Sequence, residues 1–181
     1  MRERFLKYII DCFGTVPASV YVGILVVLCL GSILLFAFLG RKMGMMWSTR
    51  LLLLVYLFWI FGMTVLFRSA MSTRAIHPIP FSSYSSLPGS GLRLVEIISN
   101  VAVFVPVGFL LGCAFGRMRW WKVLLIGGGF SVLIETLQFF LKRGFAEFDD
   151  VFHNVVGCMI GFGIYVGVRW KVEMGKRKKM R

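Results

Sequence analysis

Five stretches of this chain, residues 19–39, 51–67, 97–115, 121–141 and 152–168, are almost entirely apolar and hold at most two charged residues each. A helix of roughly 17–25 such residues crosses the ~30 Å hydrocarbon core of a bilayer. Such runs leave no polar face for water, so the lipid is the solvent. Composition agrees: 58% of the residues are hydrophobic and the mean hydropathy is +0.81. Together they predict an all-α, polytopic membrane protein of about five transmembrane helices in one bundle.

A short amphipathic helix is expected to precede them. Residues 2–13 place Phe5, Ile9, Cys12 and Phe13 on one face, with Arg2, Arg4, Lys7 and Asp11 largely elsewhere. That pattern suits a helix lying in the interface before Pro17 redirects the chain. A cleaved signal peptide fits less well. The apolar run that follows is too long for a signal core and ends at Arg41-Lys42 without a small-residue cleavage site. Between the second and third runs lies a long Ser-, Pro- and Gly-rich connection, 69–95, read as an interfacial cap. Pro106 inside the third run cannot donate to the Ala102 carbonyl, which predicts a kink or a re-entrant segment. Glycines recur every fourth residue at Gly108, Gly112 and Gly116, at Gly157 and Gly161, and at Gly163 and Gly167. Ridges of that kind let helices approach closely in lipid, so all three are expected to be packing surface.

The net charge of +13 raises the possibility of nucleic-acid binding, but its distribution argues against it. The basic residues lie between and beyond the apolar runs, no soluble basic domain remains, and no recognition motif is present. The tail, 169–181, holds seven Lys and Arg and reads as a juxtamembrane segment on an anionic leaflet. Five spans divide the Lys and Arg into 13 on the side of the C-terminus and 8 on the other, which puts the C-terminus in the cytoplasm and the N-terminus outside. Cys12, Cys29, Cys113 and Cys158 form no CxxC pair, and only His77 and His153 could join them. Neither a disulfide, a metal nor a cofactor is expected.

The polar residues within the runs converge. Asn100 opens the third run, Glu135 and Gln138 lie near the end of the fourth, and Asp149, Asp150 and Asn154 surround the start of the fifth. Because consecutive spans alternate direction, all of them fall at one end of the bundle, where Arg68 and Arg143 also lie. Ser131, Glu135 and Gln138 share a helical face, and Asp150, Asn154, Gly157 and Gly161 form a second stripe. Glu135 stands ~9 Å inside its helix end at ~1.5 Å per residue. A carboxylate near mid-membrane costs about 2.5–3.5 kcal/mol to insert, so it must be neutral, paired or facing a polar cavity. Two accounts fit: a network that locks helices together, or an outward-open pocket for a polar headgroup, with Arg68 and Arg143 taking phosphate or carboxylate. Glu135 and Asp150 are the candidate catalytic pair should the pocket do chemistry. His153 is a weaker acid-base candidate, and no nucleophile elbow or phosphate loop is present.

The stretch EIISNVAVFVPVGFLLG (Glu96–Gly112) resembles the N-x-x-x-F-x-P-x-G-F segment of the VanZ-like family, and ETLQFFLKRGFAEFDDVFHNVVGCMIGF (Glu135–Phe162) resembles its E-x-x-Q … R … D-x-x-x-N-x-x-G … G segment. A run ending in Thr64-Val65-Leu66-Phe67-Arg68, followed by Ile79-Pro80-Phe81, also fits. The family pattern marks Arg68, Pro80, Phe81, Asn100, Phe104, Pro106, Gly108, Glu135, Gln138, Arg143, Asp150, Asn154 and Gly157; His153 falls where an apolar residue is usual. The chain then divides into an interfacial helix (1–15), an extra first span with its loop (16–49), a VanZ-like membrane domain (50–168) and the tail (169–181). The resemblance implies a bacterial plasma-membrane protein linked to teicoplanin-type glycopeptide resistance, with membrane lipids, a lipid-linked cell-wall precursor or a lipoglycopeptide as partners. It names no reaction; an intramembrane lipid-modifying enzyme and a non-catalytic assembly protein remain open beside the binding role.

Overall fold

A computed structural model describes residues 46–68, 75–77 and 91–180. The interfacial helix expected near the N-terminus and the span expected at 19–39 lie outside the described residues. Those that are described form an all-α membrane fold with four helices long and apolar enough to cross a bilayer: α1 (Met46–Leu66), α2 (Gly91–Phe115), α3 (Trp120–Leu141) and α4 (Phe148–Lys179). A parallel pair of three-residue strands, β1 (Ala75–His77) and β2 (Phe145–Glu147), joins the α1–α2 connection to the α3–α4 turn.

The charged residues that frame the apolar runs set several helix ends. Arg119 precedes α3, and Lys142, in the left-handed conformation, follows it. Other bounds exceed the apolar runs. α1 begins before Leu51 because Arg50 is accommodated: its guanidinium stacks 5.1 Å from the Trp47 ring and 5.3 Å from Phe115, and its Nε donates to the Ala114 carbonyl. α4 continues through most of the basic tail to Lys179. At ~1.5 Å per residue its 32 residues extend ~48 Å, well past the hydrocarbon. α2 is a continuous helix through Pro106, 25 residues long, so the re-entrant alternative is not what forms.

α2 and α4 make the most extensive helix contact, and it is a contact of backbones. A side chain at Gly108 would strike the Cys158 carbonyl, one at Gly157 the Val101 carbonyl, and one at Gly161 the Val105 carbonyl. Gly112 likewise faces the Tyr165 ring. Around this seam Phe104, Val107, Leu111, Ile134, Cys158 and Phe162 form a buried core with Ile60 and Val65 of α1. Leu54, Phe58, Ile98, Leu125, Val132 and Ile164 stay exposed on the perimeter, as lipid-facing residues do.

Two of the expected glycine ridges are not packing surfaces throughout. A side chain added at Gly163 or Gly167 would meet no described atom within 4 Å beyond the adjoining helix backbone, because both lie on the outer side of α4. Gly116 ends α2 instead, with φ +68°, and its carbonyl accepts from the Tyr165 hydroxyl (2.7 Å) and from Arg169 Nη1 (3.1 Å). Gly116→Ala should therefore cost about 1 kcal/mol through the left-handed backbone alone. A thermal-unfolding comparison in detergent checks this, with Gly167→Ala, inside α4 and expected to stabilise by about 0.5–1 kcal/mol, as the control of opposite sign.

Candidate functional site

The end of α1 is where the site begins. Its last turn, Gly62–Leu66, widens into a π-helix closed by a 2.8 Å bond from the Phe67 amide to the Gly62 carbonyl. A helix end leaves its final carbonyls without intrahelical donors. Two side chains from the neighbouring helix and turn satisfy them here. Gln138 Nε2 donates to the Thr64 carbonyl at 3.0 Å, and Arg143 Nη1 donates to the carbonyls of Val65 (3.1 Å) and Leu66. Gly144, buried and at φ +140°, lets the Arg68 guanidinium lie against the same turn: a Cβ there would come within 2.9 Å of Arg68 Nη1.

The α3–α4 turn is fastened on its other sides as well. The Glu147 amide donates to Glu135 Oε2 at 3.1 Å. The Glu147 carboxylate pairs with Arg93 of α2 at 3.4 Å, and Arg93 also pairs with Glu96 at 2.9 Å. Between α2 and α4, Asn100 Nδ2 donates to Asp150 Oδ1 at 2.7 Å; deeper, Asn154 Nδ2 donates to Ser131 Oγ at 2.9 Å.

These contacts enclose a recess of about 360 Å³. That volume lies in the range of small-molecule sites, about 300–1,000 Å³. Trp59, Ile60, Met63, Phe104 and Ile134 make its apolar wall. Arg68, Glu96, Ser99, Asn100, Glu135, Gln138, Asp150 and Asn154 make its polar one. Arg68 is close enough to act electrostatically on both Glu135 and Asp150, yet it makes no hydrogen bond or ion pair among the described residues. The recess thus offers one available guanidinium, three carboxyl groups, of which Glu96 is paired with Arg93, and three amides against an apolar surface, an arrangement able to hold a polar group attached to a lipid-like tail.

Of the residues picked out in the sequence, Arg68, Asn100, Glu135, Gln138, Asp150 and Asn154 line this recess, and Arg143 and Asp149 do not. Arg143 is occupied by the end of α1. Asp149 is only 2% exposed and, one residue from Asp150, projects from α4 about 100° away. His153 is buried away from the recess, with its ring 5.9 Å from that of Phe152. Glu96, Glu147 and Thr64 join the site without standing out in the sequence. Glu96 could have been found, since it lies four residues before Asn100 on the same helical face; Thr64 accepts through its backbone carbonyl, and Glu147 acts both through its amide and through a carboxylate whose partner, Arg93, is 54 residues away, which no local side-chain pattern reveals. No group of three or more His, Cys, Asp or Glu among the described residues could hold a metal ion.

Comparison with known proteins places these helices among relatives. Protein VanZ of Enterococcus faecium is 31% identical over 70 residues, which is 39% of this chain and 44% of that protein. The chain therefore spans less than half the length of that curated relative. No solved structure matches. A family model described as VanZ/LLP1 matches residues 51–170, an interval that opens in α1, closes in α4 and contains every residue lining the recess. With that match covering most of its length, the chain belongs to the VanZ/LLP1 family.

Proposed function

We propose that the recess binds the polar headgroup of an envelope lipid, a lipid-linked cell-wall precursor or a lipoglycopeptide, and that the protein thereby lowers susceptibility to teicoplanin-type drugs. The observation that carries this reading is the meeting of Arg68, Glu135 and Asp150 in one cavity with an apolar wall. Charged side chains within spans are costly unless they serve a site or a partner. The two sides of the cavity match the two ends of an amphiphile. The family likeness suggests the bacterial plasma membrane, and the charge count puts the C-terminus in the cytoplasm, so the recess would open toward the outer leaflet.

Glu135→Gln with Asp150→Asn in an expressing strain tests it. A charge-assisted hydrogen bond contributes roughly 1.5–3 kcal/mol, so losing either should weaken binding about tenfold or more. Teicoplanin susceptibility should return to that of cells lacking the protein, at equal protein level. Unchanged susceptibility at equal level removes the recess from the mechanism. A second reading, intramembrane lipid modification, is favoured by the presence of Glu135 and Asp150 in one cavity, a carboxyl pair being the minimum for acid–base work. It requires the lipid or precursor profile of expressing cells to differ from that of cells lacking the protein, and identical profiles would exclude it.

A further inference from the structure

The recess is acid-rich in a basic protein. The chain carries a net charge of +13, yet three of its eight acidic residues, Glu96, Glu135 and Asp150, line this one cavity. Among the described residues Arg68 is the single cation lining it with them. The other guanidiniums nearby are committed, Arg143 to the α1 carbonyls and Arg93 to Glu96 and Glu147. Glu135 and Asp150 each have one oxygen engaged, by the Glu147 amide and by Asn100. Their second oxygens, Oε1 of Glu135 and Oδ2 of Asp150, accept nothing from the described residues. With Glu96 paired to Arg93, a purely anionic headgroup would still meet two carboxyl groups, Glu135 and Asp150, for the one guanidinium of Arg68, and like charges in a low-dielectric recess repel strongly.

We infer that the group held here is a zwitterion: an ammonium that donates to Glu135 and Asp150, joined to an anionic oxygen group that pairs with Arg68. The inference rests on the headgroup-binding reading and narrows it. A phosphoethanolamine headgroup on a bilayer lipid has this chemistry, and so does the free phosphoethanolamine molecule.

The test uses the full-length protein in detergent, titrated separately with short-chain phosphatidylethanolamine, its N-acetylated derivative, phosphatidylglycerol and free phosphoethanolamine, with the bound fraction read by native mass spectrometry. Phosphatidylethanolamine should bind at least about tenfold more tightly than the N-acetylated lipid or phosphatidylglycerol. That preference should vanish in Glu135→Gln/Asp150→Asn. Both amides retain the oxygen that accepts from Glu147 or Asn100, so those bonds survive, and an unchanged circular dichroism spectrum verifies the fold. Free phosphoethanolamine binding as tightly as the lipid makes a soluble zwitterion the ligand, and weaker binding makes it the lipid; either outcome upholds the inference. Equal binding of the N-acetylated lipid, or tighter binding of phosphatidylglycerol, overturns the ammonium while leaving headgroup binding intact. No binding of any lipid, together with unaltered drug susceptibility in the variants, overturns both.

Discussion

Gly161→Val is expected to be among the most damaging single substitutions in the described part of the chain, lowering stability by about 3 kcal/mol or more. Gly161 of α4 lies against the Val105 carbonyl of α2, so an added side chain meets backbone, which cannot rotate aside. The helices would have to separate along the seam that also holds Gly108 and Gly157. Lipid supplies no hydrophobic drive to reclose them, since tails solvate the exposed faces as well as the partner helix does. Separation would also part Asn100 from Asp150, a pair linked at 2.7 Å across the same two helices. Loss of the monodisperse peak in size-exclusion chromatography, or a large fall in the unfolding midpoint, is the expected readout. Gly163→Val on the open side of the same helix should change neither by more than about 0.5 kcal/mol. Equal tolerance of the two substitutions would mean that α2 and α4 do not meet as described.

Arg143→Ala is the second, with an expected cost of about 2–3 kcal/mol. The guanidinium satisfies the carbonyls of Val65 and Leu66 at the π-helical end of α1, and no other donor from the described residues reaches them. Its loss leaves the end of α1 held chiefly by α3, through Gln138 and the Thr64 carbonyl. Because Arg143 does not line the recess, the variant's lipid affinity per folded molecule should stay within about twofold of the parent, whereas Arg68→Gln should keep the fold and weaken binding about tenfold. Chemical unfolding and native mass spectrometry on the same preparations separate the two effects. A fully stable Arg143→Ala that has lost lipid binding would reverse these assignments.

The contrast between those two arginines shows how far the sequence could be read. Helix existence was legible because apolar runs of bilayer length admit few alternatives. The meeting of Asn100, Glu135, Gln138, Asp150 and Asn154 at one end followed from alternating span direction and helical spacing. The same spacing could have set Asp149 apart, since Asp150, Asn154 and Gly157 already defined the inward stripe. Other features were not legible, because they depend on tertiary neighbours. Arg143 and Arg68 look alike in sequence, and only the position of α1's open carbonyls decides which becomes a cap. The π-turn at Gly62–Leu66 has no strong local signature, and the β1–β2 pair joins residues 70 positions apart over only three residues each. Glycines four apart predict a ridge but not its partner. The 108/112 and 157/161 pairs face other elements, while the 163/167 pair is left open among the described residues.

Headgroup binding requires a wet, acid-lined cavity near one membrane face, and charge-selective thiol labelling reports on that cavity most directly. Ser99 lines the recess and is exposed, so Ser99→Cys in a variant without the four native cysteines presents one thiol to it. A cationic methanethiosulfonate added from outside should react at least about tenfold faster than an anionic one, after correction for their rates with a free thiol, and Glu135→Gln/Asp150→Asn should abolish the preference. A thiol inert to both reagents, or one that favours the anion, would contradict the account.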